Sequence, residues 1–213
     1  MLDNILCGEI EKKTITQIYG PPSVGKTNLC IIAAINYIRK GYKVTYIDTE
    51  GGLSTERIRQ ISKDNNEFKN ILNNLIIYEP ESFEEQYRIL KKLENIDNIG
   101  AIVIDGISSL YRLELSDDIN KNAKMNRIMG KQILLLNKLS KKNNSAVLIT
   151  NQVTDTINGY KAAGGRVLEY WSKIIIRLDK YGEHRKMKLE KHRNLPEGLY
   201  LKYKIINCGI KKI

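Results

Sequence analysis

Eight residues from Gly20 to Thr27, GPPSVGKT, have the types and spacing of a polyphosphate cradle. In the pattern G-x-x-x-x-G-K-[ST], glycine lets the backbone curl so that successive N–H groups point into one concavity. The following helix N-terminus adds a partial positive charge there. Lys26 would reach the β- and γ-phosphates, and the Thr27 hydroxyl would take one Mg²⁺ position. Gly20, Pro21, Pro22, Ser23, Val24, Gly25 and Asn28 complete the expected wall. The bland alternative is a chance glycine loop with a surface lysine. The flanks weigh against it: Thr14 to Tyr19 (TITQIY) reads as a buried strand and Asn28 to Arg39 as a largely apolar helix, the context the pattern requires. A nucleoside triphosphate with Mg²⁺ is the expected ligand.

Carboxylates are needed nearby, and the sequence offers two. Ala101 to Asp105 (AIVID) is an apolar run ending in aspartate, the way a central parallel strand delivers a carboxylate to the carboxyl edge of its sheet. Asp105 would hold Mg²⁺ through water, opposite Thr27; the alternative is an aspartate that merely starts a turn before Gly106. Asp48-Thr49-Glu50-Gly51 places a glutamate one strand over from the phosphate loop, where it can orient a water in line with the γ-phosphate. Asn151 or Gln152, closing a neighbouring strand, would sense that phosphate. The guanine-reading N-K-x-D of a GTPase and the arginine-rich lid of a nucleotide kinase are both missing.

The elements that must position these groups follow in order. Residues 1–13 are short and polar-mixed and lead into the first core strand. Gly41 stops the first long helix, and Lys43 to Asp48 is a strand. Residues 53–63 are helical, with Ser54 or Thr55 as cap, and Asn74 to Tyr78 is a short buried strand. Ser82 to Leu93 opens with a capping pattern and runs as a helix. Residues 112–123 read as polar and mobile, and Lys124 to Lys142 as a long amphipathic helix. Ala146 to Thr150 is another buried strand, and residues 153–165 form a glycine-bearing loop too polar to pack. Lys173 to Leu178, Lys186 to Glu190 and Tyr200 to Ile206 are strand-like, with turn signals at Tyr181-Gly182 and Pro196-Glu197-Gly198. The alternation predicts an α/β fold: a mainly parallel central sheet, helices on both faces, and an antiparallel C-terminal extension.

Composition bounds the partners. The 213 residues carry a formal charge of +11, which suits a polyanion such as nucleic acid; a lysine-rich bias with solvated side chains is the equal alternative. Apolar content of 42% supports a core, and no run approaches the ~20 residues of a membrane span. Cys7, Cys30 and Cys208, scattered and odd in number, read as reduced thiols of a cytosolic protein. With only His184 and His192, a multi-histidine metal site is excluded.

YIDTEGG, AIVIDG, LITNQV and LPEG, in that order after GPPSVGKT, resemble the RecA/RadA recombinase family, most closely its short archaeal paralogues, over nearly the whole chain. The resemblance implies a RecA-like P-loop ATPase core over residues 1–213, without an N-terminal DNA-binding domain, that uses ATP and Mg²⁺ in recombination and DNA repair. Carried over by residue, Lys26 and Glu50 are catalytic, Asp105 is on the Mg²⁺ side, Gln152 senses the γ-phosphate, and Arg57 stacks on adenine. Segments 112–123 and 153–165 occupy the places of two DNA-binding loops, and Arg112 matches a DNA-contacting arginine. Lys161, Tyr160 and Arg166 would add charge and a stacking surface, or are solvated loop residues. Asp117 and Asp118 would repel phosphate, and Ser54 stands where strand-exchange enzymes have arginine. The implied role is therefore DNA binding with weak ATPase, accessory to the main recombinase and without strand exchange. DNA (single-stranded or branched), the main recombinase or a junction-processing protein, and further copies of the chain are the expected partners, in the cytoplasm and away from membranes. Two readings stay open beside it: a nucleotide-gated adaptor with incidental DNA contact, and an ATPase of the clock-protein type acting on proteins.

Lys191-His192-Arg193 is ambiguous. A K-x-R here reaches the γ-phosphate of a neighbouring subunit in several RecA-like assemblies; equally, it is a basic turn within Arg185 to Arg193 (RKMKLEKHR), a solvated hairpin or a DNA-facing patch. Trp171 reads as core or interface.

Overall fold

The computed structural model describes residues 2–156 and 159–213. Along the chain run α1 (Leu2–Leu6), β1 (Ile15–Tyr19), α2 (Lys26–Arg39), β2 (Lys43–Asp48), α3 (Thr55–Ile61), α4 (Asn65–Asn74), β3 (Leu75–Tyr78), α5 (Phe83–Lys92), β4 (Ile99–Asp105) and α6 (Ser109–Leu113). Then follow α7 (Ile119–Lys142), β5 (Ala146–Asn151), β6 (Val153–Thr156), β7 (Gly159–Ala162), α8 (Gly165–Trp171), β8 (Ile174–Tyr181), β9 (His184–Lys191), β10 (Tyr200–Ile206) and β11 (Gly209–Lys212). A nine-stranded sheet takes the order β11-β10-β9-β8-β1-β5-β4-β2-β3. It is parallel from β3 to β8 and antiparallel from β8 to β11. The α/β architecture expected from the alternation is the one observed.

Because side chains alternate across a strand, β4 feeds two cores at once. Ala101 and Val103 pack with Leu29, Ile31, Ile35 and Ile58, so α1 to α4 cover one face. Ile102 and Ile104 pack with Phe83, Leu90, Ile133 and Leu136, so α5 to α8 cover the other. With both faces covered, β1, β4 and β5 are buried at every position and mostly apolar. The exceptions are Thr16 and Gln17 inside β1 and polar residues at the ends of β4 and β5. Parallel pairing then aligns the strand ends: Tyr19 lies opposite Asn151, and Asp48 opposite Asp105. Everything that follows these strands gathers at one edge.

Several local expectations are corrected. Residues 112–123 are helical over much of their length. Arg112 and Leu113 end α6, and α7 begins at Ile119, five residues before Lys124. The Asp118 side chain caps it by accepting from Asn120 N (2.8 Å) and Lys121 N (3.3 Å), a local hydrogen-bond device with no apolar period to announce it. Segment 153–165 is not a loop too polar to pack: β6 and β7 pair as a hairpin, Ala163 is buried, and α8 begins at Gly165, while Ile157 and Asn158 lie outside the described residues. Residues 1–13 do more than lead into β1, since Leu2 and Ile5 of α1 are buried against the first core. β3 is an edge strand and only half buried, with Ile77 43% exposed. Glu50 is not one strand over from the phosphate loop: β5 and β4 stand between β1 and β2. Helix α4 and strand β11 are additions to the elements that the sequence pattern predicts. No helix among the described residues is long and apolar enough to cross a membrane.

Candidate nucleotide site

The phosphate loop is held open by backbone that only certain residues allow. Gly20 follows β1, and a Cβ there would stand 2.3 Å from the Leu178 carbonyl. The chain then turns through left-handed Ser23 (φ 66°) and Gly25 (φ 101°) into α2. Pro21 and Pro22 have no N–H to give a phosphate, so they shape the loop and do not donate. Val24 is buried, and its carbonyl accepts from the Tyr203 hydroxyl at 2.7 Å, leaving its main-chain N–H as its only group for a ligand. Lys26 Nζ donates to the carbonyls of Gly20 (2.8 Å) and Pro21 (3.0 Å). Loss of water pushes its pKa down, opposed by the charges of Glu50 and Asp105.

A cleft of about 470 Å³ opens beside this loop. Ser23, Gly25, Lys26, Thr27 and Asn28 line it, together with Glu50 and Gln152 from two other strand ends. Arg185 and Ile205 from β9 and β10 close it; neither was expected, because both come from the antiparallel extension.

Asp105 is buried, which raises its pKa; hydrogen bonds from Thr150, Thr27 and Tyr46 work against that rise. Thr150 Oγ1 lies 2.6 Å from one carboxylate oxygen and Tyr46 Oη 3.0 Å from the other. A Cβ on Gly52 would sit 3.3 Å from Thr27 Oγ1 and 4.0 Å from Asp105 Oδ2, so the missing side chain leaves this pair uncovered. A hydroxyl and a carboxylate side by side, with free space above them, fit a hard cation such as Mg²⁺.

Asp48 is a carboxylate that motif reasoning misses. It is buried and accepts from Glu50 N (3.1 Å) and Leu53 N (2.8 Å), so it shapes the turn that carries Glu50. The available signal is an aspartate two residues before the glutamate, the spacing of a side-chain-to-backbone turn. Thr49 Oγ1 ties the same turn to the carbonyls of Asp105 (2.9 Å) and Gly106 (2.7 Å). Glu50 Oε1 accepts from Ser109 Oγ (2.5 Å) and Gln152 Nε2 (3.1 Å). Asn151, the last residue of β5, is buried against Ser108, and Gln152, which follows it, faces the cleft.

Arg57 spends all five of its N–H groups. Nε donates to Asn28 Oδ1 (2.6 Å), and the terminal nitrogens donate to Gln60 Oε1 and the carbonyls of Ile206, Asn207 and Gly209. What it can still offer an adenine is its flat face, beside the start of α2.

The remaining candidates separate. Arg112 is exposed on α6, beside a hollow of about 350 Å³ lined by Thr49, Ser109, Leu113 and Gln152. Lys161 and Arg166 are exposed. Tyr160 is not a free stacking surface: its hydroxyl bonds to Asp179, and the Arg177 guanidinium lies 4.3 Å from its ring centroid. Lys191 pairs with Ile175, at the end of the sheet away from the phosphate loop, and donates to the Glu169 carbonyl at 2.7 Å. Arg193 and His192 both meet Glu11 there. Neither Lys191 nor Arg193 is brought to this chain's own cleft. Trp171 packs half-buried on the second core.

The family model described as Rad51 matches residues 1–213. A DNA repair and recombination protein RadB from Methanococcus maripaludis is 58% identical over 213 residues, spanning 100% of this chain and 98% of that protein. Its counterpart from Methanocaldococcus jannaschii is 54% identical over 215 residues and is covered in full, as is this chain. Among solved structures, one titled as the crystal structure of the RadB recombinase superposes with a TM-score of 0.82 at 33% identity, covering 100% of this chain and 96% of that one. The RecA-like fold expected from the motif order is borne out.

The packing around Glu50 yields one stability prediction. Gly106 has φ 90°, and a Cβ there would meet Thr49 Oγ1 at 2.5 Å and Glu50 Cγ at 2.8 Å. Gly106→Ala should cost about 1–3 kcal/mol in urea denaturation at 25 °C. An unchanged midpoint and slope would mean that Glu50 does not pack on this turn.

Proposed function

The chain belongs to the Rad51 family, and from that premise we propose that it is an ATP-binding, DNA-binding repair and recombination protein with weak ATPase activity. It assists a main recombinase or a junction-processing protein and does not itself exchange strands. What supports the reading is a convergence at one sheet edge: the glycine-lysine-threonine loop, a buried Asp105 bonded to Thr27, and Glu50 with one carboxylate oxygen left for a ligand.

Each residue has a physical role. The N–H groups of the loop and of the first turn of α2 bind the polyphosphate, and Lys26 leaves its two carbonyls for the β- and γ-phosphates. Thr27 and, through water, Asp105 would hold Mg²⁺, which would supply neutralising charge to the phosphates. Glu50 orients the attacking water and accepts its proton through the oxygen that Ser109 and Gln152 leave free. Arg57 offers its face to adenine. Gln152 touches Glu50 and, through its carbonyl, Ala163 N at 2.9 Å, so a change at the phosphate is felt in the β6–β7 hairpin.

DNA meets Arg112 on α6 and Lys161 and Arg166 in and beyond the hairpin, with Tyr160 joining once it leaves Asp179 and Arg177. Lys191 and Arg193 reach a nucleotide only in a neighbouring copy, so that role requires an oligomer in the cytoplasm. A second reading, the nucleotide-gated protein adaptor, draws on one observation: Leu113, next to Arg112, and Ile119, the first residue of α7, stand 81% and 82% exposed.

Three outcomes are expected. Lys26→Ala should abolish ATP-dependent thermal stabilisation, which in the parent amounts to about 2.7 kcal/mol at ~100 times Kd; an undiminished melting shift would refute the assignment. Glu50→Gln should bind ATP normally and hydrolyse it ~10²-fold more slowly in single turnover, and an unchanged rate would remove Glu50 as the base. If about four cations sit on single-strand phosphates, log K against log salt should slope near −2.8, roughly fifty-fold between ~50 and ~200 mM. A flat response would favour the adaptor.

A further inference from the structure

Arg185 is the second residue of β9 and pairs with Lys180 on β8 and Tyr203 on β10. Its side chain lines the cleft together with Ser23, Lys26 and Gln152. One terminal nitrogen approaches the Ser23 carbonyl at 3.5 Å, at the outer limit of a hydrogen bond, and Nε is buried without a partner. Among the described residues, no carboxylate forms an ion pair with it.

Arg185 is only partly buried, but its Nε is shut away from water with no acceptor in reach. Such an unspent donor is costly because nothing replaces the lost water. A residue whose purpose was to brace the loop would show the opposite pattern. Arg57, tied to the same loop's helix through Asn28, has every donor spent on protein oxygens, two of them at 2.6 Å. Arg185 has a single long contact, and it shares the cleft wall with Lys26 and the phosphate loop, with Glu50 and Gln152 lining the same cleft. The planar fork of arginine can donate two parallel hydrogen bonds to a phosphate, whereas the lone Ser23 carbonyl it approaches here accepts only one.

We propose that Arg185 is a second phosphate-binding cation of this cleft, acting in cis from the antiparallel extension on the polyphosphate that Lys26 grips from α2. The proposal rests on the reading of the cleft as a nucleotide site. It also gives the extension a part in ligand binding, since β9 brings to the phosphates a charge that no residue of the parallel strands supplies. The cation at the other end of the same strand, Lys191, faces away from this cleft and has no part in it.

The decisive experiment is titration of the purified chain with Mg-ATP, Mg-ADP and adenosine by calorimetry, for the parent, Arg185→Gln and Arg185→Lys. Arg185→Gln should weaken ATP and ADP about tenfold or more and leave adenosine within about twofold, since the lost partner is a phosphate. Arg185→Lys, which keeps the charge but not the fork, should fall between. Unchanged ATP affinity in Arg185→Gln, or an equal loss for adenosine as expected of a mere brace, would overturn the proposal. Should Arg185→Gln fail to fold by circular dichroism, Arg185→Lys decides: parent-like affinity for all three ligands counts against it, and a loss confined to the phosphorylated two supports it. A parent that binds no ATP sinks the nucleotide reading itself. A parent whose binding depends on Lys26 but not on Arg185 sinks only this inference.

Discussion

Asp105 is a charge withdrawn almost wholly from water, and the neighbouring structure is arranged to make that tolerable. Its carboxylate is met by hydroxyls from three elements: Thr150 on β5, Tyr46 on β2 and Thr27 on α2. Burial raises its pKa and these donors restrain the rise, so the group gains more from a nearby cation than a well-hydrated surface aspartate would. Three elements must therefore keep their register for one side chain to be satisfied. In a parallel sheet covered on both faces they do, because a slip of one residue would carry every side chain of the strand to the opposite face.

The antiparallel extension takes part in this order. Tyr203 holds the Val24 carbonyl, and Ile205 lies where a Cβ on Gly25 would meet it at 3.0 Å. Arg57 ties α3 to the carbonyls of residues 206, 207 and 209. The last strands thus form a roof whose hydrogen bonds end on the phosphate loop and on the helix beside it. A loop that must present free N–H groups cannot stabilise itself with them, so its rigidity is supplied from outside through its carbonyls.

Glu50 is where the cleft meets the two segments proposed to bind DNA. Ser109 opens the helix that carries Arg112, and Gln152 opens the hairpin that carries Tyr160 and Lys161; both donate to the same carboxylate oxygen. A shift of either segment changes the hydrogen bonds of the residue proposed to act as base. Tyr160 meanwhile is held by Asp179 and Arg177. The hairpin must exchange those contacts before its ring can stack on a base, which sets a cost on engagement.

Much of this was legible in the residues alone. GPPSVGKT, the apolar run ending at Asp105, and the alternation of strand and helix are local patterns whose physics is local: φ freedom at glycine, backbone N–H geometry, burial period. They determined the fold class, the phosphate loop and both carboxylates proposed for the chemistry. Local polar devices were harder to read, as with the Asp118 cap that starts α7 early and the hairpin inside 153–165, because hydrogen bonds within a few residues leave no hydrophobic period. Only the tertiary structure decided that β5 and β4 separate Glu50 from the phosphate loop, that Asp48 shapes the turn beneath Glu50, and that Arg185 and Ile205 close the site. These depend on strand order and on which face of a strand meets which neighbour. Contacts between residues far apart in the chain have no periodic trace in sequence, so the roof became visible only once the sheet was assembled.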